Sequence, residues 1–301
     1  MTARMESRMW KRLGAAAAVA GAACLLRSEY EKNHFAVEEE TVVSPKIRRE
    51  KKLVFITDVH DKEFGPGNGR LLDAIRREEP EGILVGGDLM VSKGEGSLDA
   101  SFRLLEGLAA IGPVYYSLGN HELRLRQERE VYGDAYERLI RKAASLNIHM
   151  LRDKTLPLGE VDISGVDLPR SCYKKLFLEK PARMPEGYLE RKLGAADRKR
   201  FQILLIHSPL YFAECRDWGA DLSLAGHFHG GTIRLPLAGG LMTPQYQFFV
   251  PWCAGSFCQD GKRMVVGRGL GTHSINIRLN DRPQLLVIRL VPGKEQNGNF
   301  I

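Results

Sequence analysis

The chain has 301 residues, 44% of them hydrophobic, which is enough to bury one sizeable core without disulfides or a structural metal. Its formal net charge of +7 is compatible with anionic partners such as phosphate esters, nucleic acid or an acidic membrane surface. Acidic residues interleave the basic ones along the whole chain, and the basic repeats of nucleic-acid modules are missing, so we do not expect nucleic acid as the partner.

The amino-terminal region joins a basic segment, residues 1–12, to an uncharged segment, residues 13–26, which reads LGAAAAVAGAACLL. A membrane-spanning helix usually needs about 20 apolar residues, whereas the apolar part of a signal peptide takes roughly 7–15. The length therefore favours an export signal or a marginal anchor. The alternative is an alanine-rich helix that lies on the domain or in the membrane interface.

The charges around this segment predict its orientation. If it inserts, the positive-inside rule leaves residues before Leu13 in the cytoplasm and places the remaining chain on the extracytoplasmic side. Cleavage near Ala20-Gly21-Ala22 would give an exported form instead. We expect a membrane-associated protein, with membrane lipid as a second candidate partner. Residues 27–52 read as a polar linker, 53–292 as the main domain, and 293–301 as a tail.

Strand and helix patterns alternate through the domain, which predicts an α/β core with crossover helices. In open α/β sheets, ligands bind beyond the carboxyl ends of the strands, so polar residues that follow these strands are expected to face one crevice. Two stretches without clear periodicity, about 155–200 and 233–262, are expected to be loops or hairpins that frame it. The predicted strands cover 53–59, 82–88 and 113–119, and units of a strand followed by a loop cover 201–209 and 222–230. The predicted helices cover 68–80, 97–110 and 125–146.

Three short motifs end the first three predicted strands: DVH at 58–60, GGD at 86–88 and GNHE at 119–122. Side chains at i and i+2 of an extended segment point the same way, so Asp58 and His60 can face one ion. The glycines before Asp88 allow a sharp turn beside its carboxylate. Each motif alone is more often a turn or a cap, but three strand ends in succession favour a shared site.

Two further motifs follow in the second half of the domain. His207 follows the apolar run ILLI. A lone histidine at the end of a strand is ordinarily a structural residue. The GHFHGG run at 226–231 is more specific, because His227 and His229 share one side of an extended segment and the glycines allow close approach to a metal or a phosphate.

Together these motifs supply three oxygen donors and four nitrogen donors, enough for two adjacent divalent ions that share one carboxylate. Oxygen mixed with imidazole suits manganese, iron or zinc. The five cysteines form neither a CxxC pair nor a zinc spacing, so a structural zinc site is not expected. The candidate metal ligands are Asp58, His60, Asp88, Asn120, His207, His227 and His229.

In this order, DVH, GGD, GNHE, the histidine of LLIHSP, and GHFH resemble the calcineurin-like metallophosphoesterase superfamily over roughly residues 53–290. The sequence around the motifs, such as GHFHGGTIRLP, is similar to that of the bacterial membrane-associated branch. The resemblance implies a four-layer α/β/β/α fold, a two-sheet β-sandwich flanked by helices. It also implies a phosphate-ester substrate.

Carried over by position, the resemblance implies one ion held by Asp58, His60, Asp88 and His229, and another held by Asp88, Asn120, His207 and His227. Asp88 would bridge the two. His121 matches the position near the leaving-group oxygen, as a proton donor in its imidazolium form or as a transition-state stabiliser. Glu122 stands where aspartate is more usual.

The implied reaction is phosphodiester hydrolysis, in which a hydroxide bridging two metal ions attacks in line. Alternatives are a phosphomonoesterase or a pyrophosphatase acting on a lipid- or nucleotide-linked substrate, or a scaffold that binds metal without catalysis. The sequence does not specify the substrate or the oligomeric state.

Overall fold

Strands and helices alternate along most of the computed structural model, which describes residues 2–92, 97–176, 180–272 and 275–294. The helices are α1 (Thr2–Lys32), α2 (Gly69–Arg77), α3 (Asp99–Ala109), α4 (Asn120–Gln127), α5 (Arg129–Tyr132), α6 (Ala135–Ser145), α7 (Tyr188–Leu193) and α8 (Phe212–Trp218). The strands are β1 (Ala36–Ser44), β2 (Lys51–Ile56), β3 (Gly82–Val85), β4 (Val114–Ser117), β5 (His149–Leu151), β6 (Lys154–Leu158), β7 (Val161–Gly165), β8 (Phe201–Leu205), β9 (Leu222–Ala225), β10 (Arg234–Leu235), β11 (Gly239–Gly240), β12 (Gly255–Gln259), β13 (Lys262–Val266) and β14 (Gln284–Pro292).

Two six-stranded sheets form the centre of the domain. The first has the order β1-β14-β2-β3-β4-β5, and β2 to β5 run parallel to one another. The second has the order β12-β13-β9-β8-β7-β6, with β13, β9, β8 and β7 parallel. Because the carboxyl ends of parallel strands meet at one edge of a sheet, each sheet gathers its strand-end loops on one side.

Successive side chains of each strand point to opposite faces of its sheet, and this alternation explains how the sheets pack. On β2, Leu53 and Phe55 belong to the apolar cluster between the two sheets, whereas Val54 and Ile56 belong to the cluster under α2, α3 and α6. A third cluster covers the outer face of the second sheet, where Leu204 packs with Leu189 of α7 and Cys215 of α8. A strand buried on both faces reads as a continuous apolar run, as β2 does. The predicted four-layer α/β/β/α architecture is confirmed.

Some predicted elements differ in detail. The single helix predicted over 125–146 is instead divided among three helices, α4 to α6. The chain turns at Glu128 and again at Gly133, which has a positive φ of 56°. The region 155–200 includes most of the β6–β7 hairpin, whose second strand joins the second sheet beside β8. The region 233–262 includes the β10–β11 hairpin and β12.

The amino-terminal helix is longer than the sequence suggested, and the segment that follows it pairs with the domain. Helix α1 runs from Thr2 to Lys32, and its stretch Glu6–Lys32 is long and apolar enough to cross a membrane. Its side chains are exposed from residue 6 to residue 27, so this part does not lie on the domain. Residues 27–52 are not a simple linker, since β1 pairs in parallel with all nine residues of β14.

Candidate metal centre

The predicted site residues follow the strands that were expected to present them. Asp58 and Asp88 come two and three residues after β2 and β3, and Asn120 opens α4 after β4. His207 and His227 each come two residues after a strand of the second sheet, β8 and β9. Both sheets therefore contribute polar side chains to one crevice, and all of the histidines and aspartates among them are buried.

Left-handed backbone turns, rather than extended segments, direct five of these side chains. Non-glycine residues with positive φ are uncommon and cost free energy, so a group of them marks a place where the surrounding structure imposes the conformation. Of the two i and i+2 pairs predicted on extended chain, Asp58 and His60 share one donor group, whereas His227 and His229 belong to different groups. This series of turns is the physical reason for both placements. The φ values are 52° at Asp58, 50° at His60, 54° at Asp88, 68° at His227 and 48° at His229.

The first group of donors surrounds Asp58. Its Oδ1 lies 3.3 Å from His229 Nε2 and 3.8 Å from His60 Nε2, and the ligand atoms of the three residues lie within 4.8 Å of one another. The backbone N–H of His227 donates to both carboxylate oxygens, at 2.9 and 3.1 Å. A Cβ on Gly226 would overlap Asp58 Oδ2, so only glycine allows this approach.

The second group surrounds Asp88. Its Oδ2 lies 3.2 Å from His207 Nε2 and 3.7 Å from His60 Nε2, and Asp88 forms one three-residue group with His207 and His227. It forms another with His60 and His121. The N–H of His121 donates to Asp88 Oδ1 at 2.8 Å, which fixes the carboxylate. Asp88 is thus shared by two of the three groups, and His60 is shared by the other neighbouring pair of groups.

Asn120 is a further candidate ligand beside the second group. It is the first residue of α4, directly before the N–H that holds Asp88. Its Oδ1 is buried and has no hydrogen-bond partner among the residues that the structure describes. Burying an amide oxygen without a partner costs free energy, so this atom fits a metal ligand.

Electrostatics keep the carboxyl groups ionised. Burial alone would raise the pKa of Asp58, but the charges of His229 and His207 outweigh burial, and the pKa lies below its ordinary value. Burial would likewise raise the pKa of Asp88, but the charge of His207 outweighs burial and holds the pKa well below its ordinary value.

For His207, burial and the neighbouring charges shift the pKa in the opposite directions. Burial would lower its pKa, but Asp88 and Asp58 raise the pKa to about 10. Its Nδ1–H donates to the carbonyl of Gly86 at 2.7 Å and leaves Nε2 directed at the carboxylates. A cation that binds here displaces a proton from that nitrogen.

His121 is oriented by a residue that the sequence did not reveal. The backbone N–H of Ser92 donates to His121 Nδ1 at 2.8 Å, and Ser92 Oγ lies 2.7 Å from the same atom. An N–H can only donate, so Nδ1 carries no proton and the ring proton is on Nε2. This tautomer makes His121 a hydrogen-bond donor toward the cluster, which favours the stabiliser role over the imidazolium form.

Glu122 organises the backbone beneath the site. Its carboxylate accepts hydrogen bonds from the N–H groups of Asp88, Leu89 and Gly119, each at 2.9 Å, and from the hydroxyl of Tyr116 at 2.6 Å. It is fully buried, and burial and the charge of Asp88 raise its pKa. Glu122 therefore connects the ends of β3 and β4.

A buried arginine supports the opposite side of the cluster. Arg278, 1% exposed, donates through Nη2 to the carbonyls of Arg268, Gly269 and Gly271 at 2.8, 3.2 and 2.5 Å. The carbonyl of Gly271 also lies 3.3 Å from His229 Nδ1, and its N–H donates to the carbonyl of Asp58 at 2.6 Å. Arg278 therefore fixes the loop that holds the first donor group.

The arginine also connects the site to α1. The backbone N–H of Arg278 donates to Ser28 Oγ at 3.0 Å, and that of Asp281 donates to Glu31 Oε2 at 2.9 Å. Both side chains of α1 are buried, at 3% and 2% exposed. The last turns of the helix are therefore part of the domain.

Tyr173 is a further residue near the site that no motif signalled. Its ring centroid lies 5.2 Å from that of His227 and 5.9 Å from that of His207. It belongs to a segment whose sequence has no clear period, so only the tertiary structure places it there. The donor set as a whole, carboxylates and imidazoles with a buried amide oxygen, fits divalent metal ions.

Comparisons with known proteins agree with this arrangement. The sequence model of the family described as calcineurin-like phosphoesterase matches residues 51–231, more than half of the chain. Phosphodiesterase YaeI of Escherichia coli (strain K12) is 27% identical over 248 residues, which cover 80% of this chain and 82% of that protein. Uncharacterized metallophosphoesterase YkuE of Bacillus subtilis (strain 168) is 27% identical over 245 residues, covering 79% and 78%.

Among solved structures, that of TT1561 of Thermus thermophilus aligns with 73% of this chain and 90% of that chain, with 12% identity and a TM-score of 0.45. The family match covers the DVH, GGD, GNHE, His207 and GHFH motifs. The chain therefore belongs to the calcineurin-like phosphoesterase family and is a metal-dependent phosphoric ester hydrolase.

Proposed function

We propose that the chain hydrolyses phosphodiesters at a pair of divalent ions that share Asp88. The observation that carries the proposal is the position of Asp88 Oδ2 between His60 Nε2, at 3.7 Å, and His207 Nε2, at 3.2 Å. The ions are manganese, iron or zinc, because these accept both oxygen and imidazole ligands. One ion is held by Asp58, His60, Asp88 and His229, and the other by Asp88, Asn120, His207 and His227.

When bound, such a pair of ions lowers the pKa of a water nucleophile and neutralises charge on the phosphoryl oxygens. The protein's own residues supply the positioning. His121 presents Nε2–H, 3.9 Å from Asp88 Oδ2, as a donor to the leaving-group oxygen. The N–H of His121 and that of His227 hold the two carboxylates in place.

The preference for diesters is supported by the name of one relative, phosphodiesterase YaeI. The competing functions within the same chemistry are a phosphomonoesterase and a pyrophosphatase. Hydrolysis of a diester, a monoester and a pyrophosphate by the metal-loaded chain separates the three, and turnover of monoesters alone would contradict the proposal.

The test of the site is the pair Asp88→Asn and His121→Ala, assayed on bis(p-nitrophenyl) phosphate. Asp88→Asn should lower activity by at least about 100-fold and bind fewer ions, because it removes a shared charged ligand. His121→Ala should keep two ions and lose about 10²–10³-fold in kcat, as expected for one lost donor to the transition state.

The matched control is Asp162→Asn, a carboxylate that bonds Arg200 and Gln202 at the amino end of β7. It should retain wild-type activity and metal content. Wild-type activity in Asp88→Asn would contradict the proposed site. Loss of an ion in His121→Ala would instead make His121 a ligand, as its group with His60 and Asp88 permits.

We propose further that α1 holds the enzyme at a membrane, with the catalytic domain on the extracytoplasmic side. The exposed helix over residues 6–27 and the basic residues before Leu13 support this location. The full chain should then fractionate with membranes, whereas a chain that begins at Arg27 should be soluble. A full chain that stays in the soluble fraction would contradict the anchor.

A further inference from the structure

A cleft of about 250 Å³ lies directly beside the metal centre, between α4 and the 3-10 helix Arg170–Tyr173 with the two lysines that follow it. Asn120 lines both the cleft and the centre. Tyr173 lines the cleft with its ring near those of His207 and His227. The cleft therefore opens onto the proposed ligands.

Four cationic side chains line this cleft. Arg124 lies one helical turn after Asn120, so both residues are on the same face of α4. Arg170, Lys174 and Lys175 come from the other wall. The volume suits a phosphate or carboxylate group with its nearest substituents, and it is too small for a helix or a nucleic-acid duplex.

Two of the four cations have partners. Arg170 pairs at 2.7 Å with Glu128, which also lines the cleft, and Lys175 Nζ lies 4.6 Å from the centroid of the Tyr246 ring. Arg124 and Lys174 have no carboxylate within ion-pair distance among the described residues. Cations gathered without counter-charges repel one another, and an anion that binds between them relieves that repulsion.

We propose that the cleft binds a second anionic group of the substrate. The substrate class is then a phosphodiester that carries a further phosphate or carboxylate close to the scissile phosphate. This inference rests on the proposed diesterase function and adds specificity to it. Arg124 and Lys174 are the specificity-determining residues, because their charges have no partner within the described protein.

The experiment compares two chromogenic diesters, the p-nitrophenyl ester of thymidine 5′-phosphate and the same ester with an added 3′-phosphate. Both release p-nitrophenol, so they differ only in the second anionic group. In the metal-loaded full chain, the 3′-phosphate should raise kcat/KM about tenfold through a lower KM, the size expected for a charge-assisted contact.

The double variant Arg124→Gln/Lys174→Gln should reduce this ratio to about one or two, since it removes the two unpaired charges. The matched control is Arg77→Gln/Lys199→Gln, which removes two exposed charges of the same kinds elsewhere on the surface. The control should keep the tenfold ratio. An unchanged ratio in the Arg124/Lys174 variant would overturn the inference and leave the diesterase proposal intact.

A binding measurement separates the two proposals if neither diester is hydrolysed. That result would contradict the diesterase function alone. Calorimetric titration of the same proteins with thymidine 3′,5′-bisphosphate and thymidine 5′-monophosphate then tests the cleft. Tighter binding of the bisphosphate that disappears in the Arg124/Lys174 variant supports the anion site. Equal binding of both nucleotides by the wild type overturns it.

Discussion

At the residue scale, the site depends on groups that hold the proposed ligands as well as on the ligands. Glu122 accepts four hydrogen bonds and connects the backbone at Asp88 and Gly119. The Glu122 side chain reaches Tyr116 and the end of β3 at the same time. The carboxylate is therefore a structural acceptor for this corner of the site.

Replacing Glu122 should destabilise the protein more than replacing one of its hydrogen-bond donors. Glu122→Gln keeps one acceptor oxygen and leaves two of the four donors without a partner, so the free energy of unfolding should fall by about 2–6 kcal/mol. Tyr116→Phe removes only one donor and should cost about 1–2 kcal/mol. Denaturant unfolding of the metal-free proteins measures both, and a Glu122→Gln loss no larger than that of Tyr116→Phe would contradict this role.

The motifs allowed eight candidate site residues to be proposed from the sequence, because each follows an apolar strand and carries a metal-binding side chain. Their neighbours could not be named in the same way. Ser92 and Tyr173 belong to no motif, and only the folded chain brings them against His121 and His227. The sequence also did not predict the left-handed turns. Glycine indicates a positive φ, whereas the aspartates and histidines at those positions do not.

At the element scale, the amino-terminal region shows why the linker prediction failed. Strand β1 reads AVEEETVVS, and its first six residues alternate between half-buried and exposed. An edge strand has a neighbour on one side only and tolerates charge, so its sequence resembles a polar linker. The contacts of Ser28 and Glu31 with the turn at 278–281 were also invisible, because they join positions 250 residues apart.

These contacts predict where the chain can be shortened. A protein that begins at Arg27 keeps Ser28, Glu31 and β1, and should have the stability of the full-length domain. A protein that begins at residue 45 loses the edge strand and leaves the N–H groups of Arg278 and Asp281 without acceptors. It should lose about 2–6 kcal/mol of unfolding free energy from these two groups alone.

Metal affinity provides the second readout of this truncation, because Arg278 fixes the loop next to Asp58 and His229. The shorter protein should bind metal more weakly than the one that begins at Arg27. Equal stability and equal metal affinity of the two proteins would show that α1 and β1 do not support the site.

At the scale of the whole molecule, the metal centre depends on the packing of the two sheets against each other. Asp58, Asp88 and Asn120 come from the first sheet, whereas His207 and His227 come from the second. The apolar cluster between the sheets, which includes Phe55 and Leu205, sets their relative position. The α/β alternation of the sequence predicted strands, but how the two sheets face each other follows from long-range packing and entered only through the family resemblance.

We propose that two ions act together at this junction, and titration with metal distinguishes two ions from one. The metal-free full chain is titrated with manganese or zinc while bound metal per chain and hydrolysis of bis(p-nitrophenyl) phosphate are measured on the same samples. We predict that activity rises with occupancy and reaches its maximum at two ions per chain. Full activity at one ion per chain, or activity that survives complete metal removal, would contradict the account.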